Sequence, residues 1–140
     1  ELFGAEHVNI QSYSGSTANY SVFASILKPG DKILAMRLDQ GGHLTHGSPA
    51  NWTSSIYNHK FYGCDPETGR IDYDEMEKIA KEFQPKLIIC GASSYPRLID
   101  YERVAKIAES VGAYSSVTWR MWQDLWQRKS FQARFLTWIS

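Results

Sequence analysis

Three short stretches of this 140-residue chain carry side chains whose types and spacing could do chemistry. The first is SGS, where Ser14, Gly15 and Ser16 open a helical pattern. Unpaired N–H groups and the positive end of a helix dipole attract an anion, and two hydroxyls add donors, so a phosphate could sit there. A plain helix cap accounts for the same residues, and both readings stay open. The second stretch is GGHLTHG, which places His43 and His46 three apart among glycines. With no Cys or carboxylate in the loop and no HExxH pattern, a metal site is not expected; an imidazole there could stack on a flat ring or move protons. The third is GASSYP, offering Ser93 and Ser94 as donors, or simply making a turn.

The elements around these stretches alternate. Ser16 can cap a helix through ANYSVFASIL that the KPGD turn stops. KILAM reads as a short apolar strand, GGHLTHGSPANW as a loop and CDPETGRID as a turn. Asp72 followed by Glu75 has the form of a capping box. Met76, Ile79, Ala80 and Phe83 then lie on one helical face, as do Val104, Ile107, Ala108 and Val111 before Gly112. KLIICG between them is a buried-strand run. Strands alternating with helices imply an α/β layered fold with mainly parallel strands, in which ligands bind at the strands' carboxyl ends. SGS, GGHLTHG and GASSYP each follow a strand-like run, which marks them as one site.

Composition narrows the functional classes. Fifteen basic and fifteen acidic residues balance, which speaks against nucleic acid or a membrane surface as partner of the whole chain. No apolar run is long enough to span a bilayer, and the opening ELFGAEH lacks the features of a signal peptide. Cytoplasm is the expected location. Cys64 and Cys90 read as two unpaired thiols, and the glycosylation triplets at Asn19 and Asn51 as chance. The chain starts at Glu1 without methionine, inside what reads as a helix end, so it is expected to be a piece of something longer.

Taken in order and spacing, ELFGAEHVNIQSYSGSTAN, LKPGDKIL, GGHLTHGSP, YGCDPETGRIDYDE, PKLIICGASSYPRLID and ESVGAY closely resemble the serine hydroxymethyltransferase family from Glu1 to Tyr114. The resemblance implies part of the large domain of the aspartate-aminotransferase-like, fold type I, pyridoxal-phosphate-dependent transferases. It implies a one-carbon exchange between serine plus tetrahydrofolate and glycine plus methylenetetrahydrofolate, in a homo-oligomer, dimer or tetramer. On this basis Ser14, Gly15 and Ser16 match the loop holding the phosphate of pyridoxal 5'-phosphate. His43, the catalytic candidate, matches the histidine stacked on the pyridine ring, and Ser93 a serine near the phenolic oxygen. Leu38, Gly42 and Leu44 match positions lining the folate site. Gln40 departs from the family, which usually has histidine there. No metal is implied.

After Tyr114 the composition changes. Eleven basic residues face 14 acidic ones up to that point, then four face one, and four of the five tryptophans lie beyond it. The family continues there with a strand ending in Asp-Met-Ala-His and a Val/Ala-rich helix. Tryptophan and methionine have single codons, so the underlying bases are constrained. Read in the frame that begins on each third base, Val117 to Arg128 can become Asp-Met-Ala-His-Val-Ala-Gly-Leu-Val-Ala-Ala, as the family has it. Residues 115–140 are therefore expected to be a frame-shifted, non-family tail without an evolved fold, with the slip between Tyr114 and Thr118. A rival reading takes Trp119, Trp122 and Trp126, with Arg120, Arg128 and Lys129, as an amphipathic segment for a membrane or partner groove.

The family's Schiff-base lysine lies downstream of the matched region, and its ring-nitrogen aspartate is lost in the tail. Lys32, Lys60, Lys78, Lys81, Lys86 and Lys106 match non-catalytic positions. The isolated chain is thus expected to be inactive. Two alternatives remain: another enzyme of the same fold type, such as an aminotransferase or cysteine desulfurase, and a non-catalytic fragment or binding protein that keeps part of the cofactor and folate site.

Overall fold

A computed structural model describes residue 7, residues 9–118 and residues 135–138, the last four by backbone alone. The elements run α1 (Gly15–Ile26), β1 (Lys32–Met36), α2 (Thr53–Ile56), β2 (Asn58–Tyr62), α3 (Tyr73–Phe83), β3 (Leu87–Cys90), α4 (Tyr101–Ser110), β4 (Tyr114–Thr118) and β5 (Phe135–Trp138). All strands pair in parallel in the order β2-β1-β3-β4-β5. The opening residues, and Trp119, Trp122, Trp126, Arg128 and Lys129, lie outside the described residues.

A parallel sheet is covered on both faces, and the period-2 alternation of side chains sorts the core into two halves. Leu34, Met36, Ile88, Cys90 and Val117 face one way and pack with Met76, Ala80, Val104, Ile107 and Ala108 of α3 and α4. Ile33, Ala35, Leu87 and Ile89 face the other way, against Val22, Phe23 and Leu27 at α1. The result is the three-layer α/β/α arrangement expected of a fold type I large domain. Tyr62 ties the edge strand in: its hydroxyl donates to the Ile89 carbonyl at 3.1 Å, reaching past β1 to β3.

Local chemistry explains most boundaries. Asp72 caps α3 by accepting from the Asp74 and Glu75 N–H groups, and Asp100 caps α4 through Arg103. In the CDPETGRID turn, Asp65 Oδ1 accepts from the N–H groups of Glu67 and Thr68. Ser16 is not the cap of α1. That role falls to Ser14, whose hydroxyl accepts from Thr17 while the Thr17 hydroxyl accepts from the Ser14 N–H. The threonine closes the box better because it sits at the third helical position, where the return bond reaches. β2 went unread in the sequence because NHKFY is an edge strand in which only Tyr62 is buried, so it shows no apolar run. The loop after β1 also contains more order than glycine content suggests, with 3-10 turns at Leu38–Gln40 and Leu44–His46 and the short α2.

The compositional break after Tyr114 falls inside β4, and Ser115, Ser116 and Val117 are buried against β3. Asn19 is buried rather than displayed, which leaves it no glycan acceptor. Cys64 and Cys90 are both free. Among the described residues no helix is long and apolar enough to cross a membrane.

Ile88 has no exposure and contacts the α3–α4 side of the core, whereas Leu98 is 71% exposed. Ile88→Ala should cost about 2–5 kcal/mol by removing packed methylenes. Leu98→Ala should change stability by no more than about 0.5 kcal/mol. Urea unfolding of the two variants side by side checks the contrast.

Candidate active site at the carboxyl ends of the strands

β1 ends at Met36 and β3 at Cys90, and the two loops they release are stitched together. The N–H groups of Ser93 and Ser94 both donate to the Gly41 carbonyl, at 2.8 and 3.2 Å. Gly41 has φ +113°, and a Cβ on it would lie 2.9 Å from the Tyr95 nitrogen. A Cβ on Gly42 would drive into the Met36 carbonyl. The two glycines are therefore required by close backbone approach, which brings Ser93 beside the segment that carries His43.

His43 caps the second 3-10 turn. Its Nδ1 lies 3.2 Å from the Thr45 N–H and 2.7 Å from the Thr45 hydroxyl. Thr45 is buried and held from three sides. Its hydroxyl accepts from the Asn19 amide of α1 at 2.9 Å, its carbonyl lies 3.2 Å from the Thr53 hydroxyl, and the Thr53 N–H donates to the Asn51 side-chain carbonyl at 3.1 Å. His46 stands behind His43 with ring centroids 5.4 Å apart. It is buried, neither ring nitrogen has a hydrogen-bond partner among the described residues, and its pKa is pushed down to about 3. Burial is the main cause, with the neighbouring imidazoles of His43 and His59 adding to it. His59 is also pushed down by burial, against a weaker opposing bond from its ring to the Tyr57 carbonyl. Burial thus favours the neutral ring at both His46 and His59. Sequence spacing paired His43 with His46 as possible equals; in the fold, His43 lines a pocket and His46 is buried behind it.

α1 starts at the same end of the sheet, since Asn19 reaches Thr45 from its second turn. Ser14 is occupied as the cap, but the first N–H groups of a helix have no partner within it, and those of Gly15 and Ser16 point out of the end. α3 and α4 carry Asp74, Glu75 and Glu102 in their first turns; α1 carries no acid there. A helix start with hydroxyls and no carboxylate suits a bound dianion, so the residues present fit a phosphate group.

Leu38 and Leu44 flank the glycine pair on the two 3-10 turns and are 46% and 50% exposed. Leu38 and His43 line an open pocket of about 270 Å³ together with Met36, Arg37, Asp39, Ser48, Pro49 and Phe61; Gly42 and Leu44 are outside it. Arg37 pairs with Asp39 at 2.7 Å on its rim, and the guanidinium's hydrogen bond holds the Asp39 carboxyl below its ordinary range. Phe61 escaped sequence reasoning because β2 did. Gln40, the departure from the family pattern, makes a specific local bond. Its side-chain carbonyl accepts from the Cys64 N–H at 2.7 Å and pins the loop after β2.

Several lysines are engaged away from these loops. Lys32 and Lys60 lie over the Phe83 ring, Lys86 pairs with Asp31 before β1, and Lys81 and Lys106 pair along α3 and α4.

Two outcomes follow from the packing of this loop. Gly42→Ala should destabilise the chain by about 1–3 kcal/mol, the scale of a forced backbone displacement, seen as a lowered unfolding midpoint. For His46, the unfolded ring titrates near its ordinary 6.5 while the folded ring holds out to about 3. The unfolded state then binds more protons between those values, so stability falls as pH drops, by at most about 1.4 kcal/mol per unit. His59 contributes with the same sign. Unfolding free energies measured from pH 7 to about pH 5, above the carboxylate range, should show this slope, and His46→Leu should flatten it.

A model of the family described as serine hydroxymethyltransferase matches residues 1–120. The match spans the start of α1, the glycine–histidine loop and the serine loop, and runs past the compositional break to include the whole of β4. With most of its length matched, and with those three loops gathered at one end of a parallel sheet, the chain belongs to the serine hydroxymethyltransferase family.

Proposed function

We propose that the chain carries the phosphate, ring-facing and folate-side portions of a pyridoxal-phosphate-dependent hydroxymethyltransferase that exchanges a one-carbon unit between serine and tetrahydrofolate. The observation that carries this reading is the paired bond from Ser93 and Ser94 to the Gly41 carbonyl, which sets the serine loop against the histidine loop at the end of the sheet where α1 begins. Pyridoxal phosphate, when bound, supplies an electron sink for bonds broken at the substrate's α-carbon. The chain's part is placement. Gly15 and Ser16 N–H groups, with the Ser16 hydroxyl, would hold the phosphate, and the Ser14 hydroxyl would join them by turning its proton from Thr17. His43 would face the ring, and the Ser93 hydroxyl would donate near the phenolic oxygen. Leu38, Gly42 and Leu44 would offer the folate a mostly apolar flank beside the pocket of Leu38 and Phe61. The homo-oligomeric state of this reading comes with the family, and the cytoplasmic location from the composition of the sequence.

A second reading is favoured by the lysines. Among the described residues, Lys32, Lys60, Lys81, Lys86 and Lys106 are held by partners away from the three loops, which supports a chain that binds without turning over. Titrating the full chain with pyridoxal phosphate tests both. Saturable binding, competed by inorganic phosphate and weakened at least about ten-fold by Ser16→Asp through anion repulsion at the helix start, is expected. Absence of binding, or binding indifferent to Ser16→Asp, would remove the phosphate assignment. Conversion of serine with tetrahydrofolate by the same preparation would refute the inactive-chain reading.

A further inference from the structure

The hydrogen bonds around Thr45 decide where the proton on His43 sits. A backbone N–H can only donate, and that of Thr45 points at His43 Nδ1. Nδ1 must therefore present a lone pair. The Thr45 hydroxyl lies 2.7 Å from the same nitrogen. Because Nδ1 already presents its lone pair to the Thr45 N–H, the hydroxyl, whose oxygen accepts from Asn19 Nδ2, turns its single proton to Nδ1 as the second donor. With both donors on Nδ1, the proton of a neutral imidazole is left to Nε2. A proton on Nδ1 would meet the Thr45 N–H head-on and turn the hydroxyl's own proton away from the ring. Thr45 is 1% exposed and Asn19 9%, so water is poorly placed to relieve either conflict.

We propose that Asn19 and Thr45 form a buried donor relay that locks His43 as the neutral imidazole protonated on Nε2, making both of them positioning residues of this site. The relay begins on α1, the helix whose start suits the phosphate, and ends on the ring that would face the cofactor. It thereby fixes the distance between those two functions with two consecutive hydrogen bonds. It also limits what His43 does. A ring whose Nδ1 is saturated with donors presents a neutral aromatic face and a single N–H, and takes up no proton at Nδ1. His46 behind it supplies no opposite charge that would favour an imidazolium.

This inference builds on the reading of His43 as the cofactor-facing residue, but the tautomer is read with no cofactor present, so the two fail separately. The experiment is long-range proton–nitrogen correlation on the full chain labelled with nitrogen-15 at its four histidines, with His43 identified by its loss in His43→Gln. His43 is expected to show a bare acceptor-type Nδ1 and a protonated Nε2. Asn19→Asp is nearly isosteric, but its carboxylate accepts from the Thr45 hydroxyl and turns that proton away from the ring. It should move the tautomer ratio toward Nδ1–H by roughly ten-fold, the reach of one hydrogen bond of ordinary net strength. Thr45→Ser keeps the donor and should keep the tautomer; Thr45→Val should not. A wild-type His43 protonated on Nδ1 or evenly mixed overturns the proposal. So does a set of variants that lose stability while the His43 tautomer stays as in the wild type, because that is the signature of a packing role alone.

Discussion

Parallel strand direction is the constraint on which everything else rests. Because β1, β2, β3 and β4 all run the same way, every loop that follows a strand emerges at one end, and every helix returns the chain to the other. Loops 37–52 and 91–100 have no choice but to be neighbours. Once they are, the backbone fits closely enough that Gly41 and Gly42 have no room for a Cβ, and the Gly41 carbonyl collects two N–H groups from the serine loop. The candidate site is a by-product of the sheet's direction, sharpened by a few local bonds.

The two faces of the sheet contribute differently. The α3–α4 side is ordinary packing, with amphipathic helices capped by Asp72 and Asp100 laid over Leu34, Met36 and Ile88. The α1 side is where packing and chemistry mix. α1 buries Val22 and Phe23 on the sheet and, one turn earlier, sends Asn19 into the histidine loop. The same helix thus stabilises the core and positions the site, and its first turn is left without the carboxylates that the other two long helices use.

Much of this was legible beforehand because it depends on short-range rules. KILAM, LIIC and the two 3.6-period helices declare themselves through apolar spacing, and Asp72 through its cap. The three loops were legible because glycine, serine and histidine cluster there. What escaped was decided by tertiary context. β2 is an edge strand with polar outward positions, so NHKFY shows no period that single-sequence reading could seize. The choice of Ser14 over Ser16 as cap turned on Thr17. The separate fates of His43 and His46 depend on burial, which spacing within a loop does not encode. Gln40 looked like a mere substitution until the loop after β2 came to rest on it.

The Tyr62 hydroxyl has a dynamic meaning. An edge strand normally frays first, opening residue by residue while the interior stays closed. Here, peeling β2 away would strand a fully buried phenol and take a donor from the Ile89 carbonyl two strands further in. The opening of the edge is thereby coupled to the opening of the centre. The bond thus links the strand that carries Phe61, and with it one wall of the pocket, to the interior of the sheet.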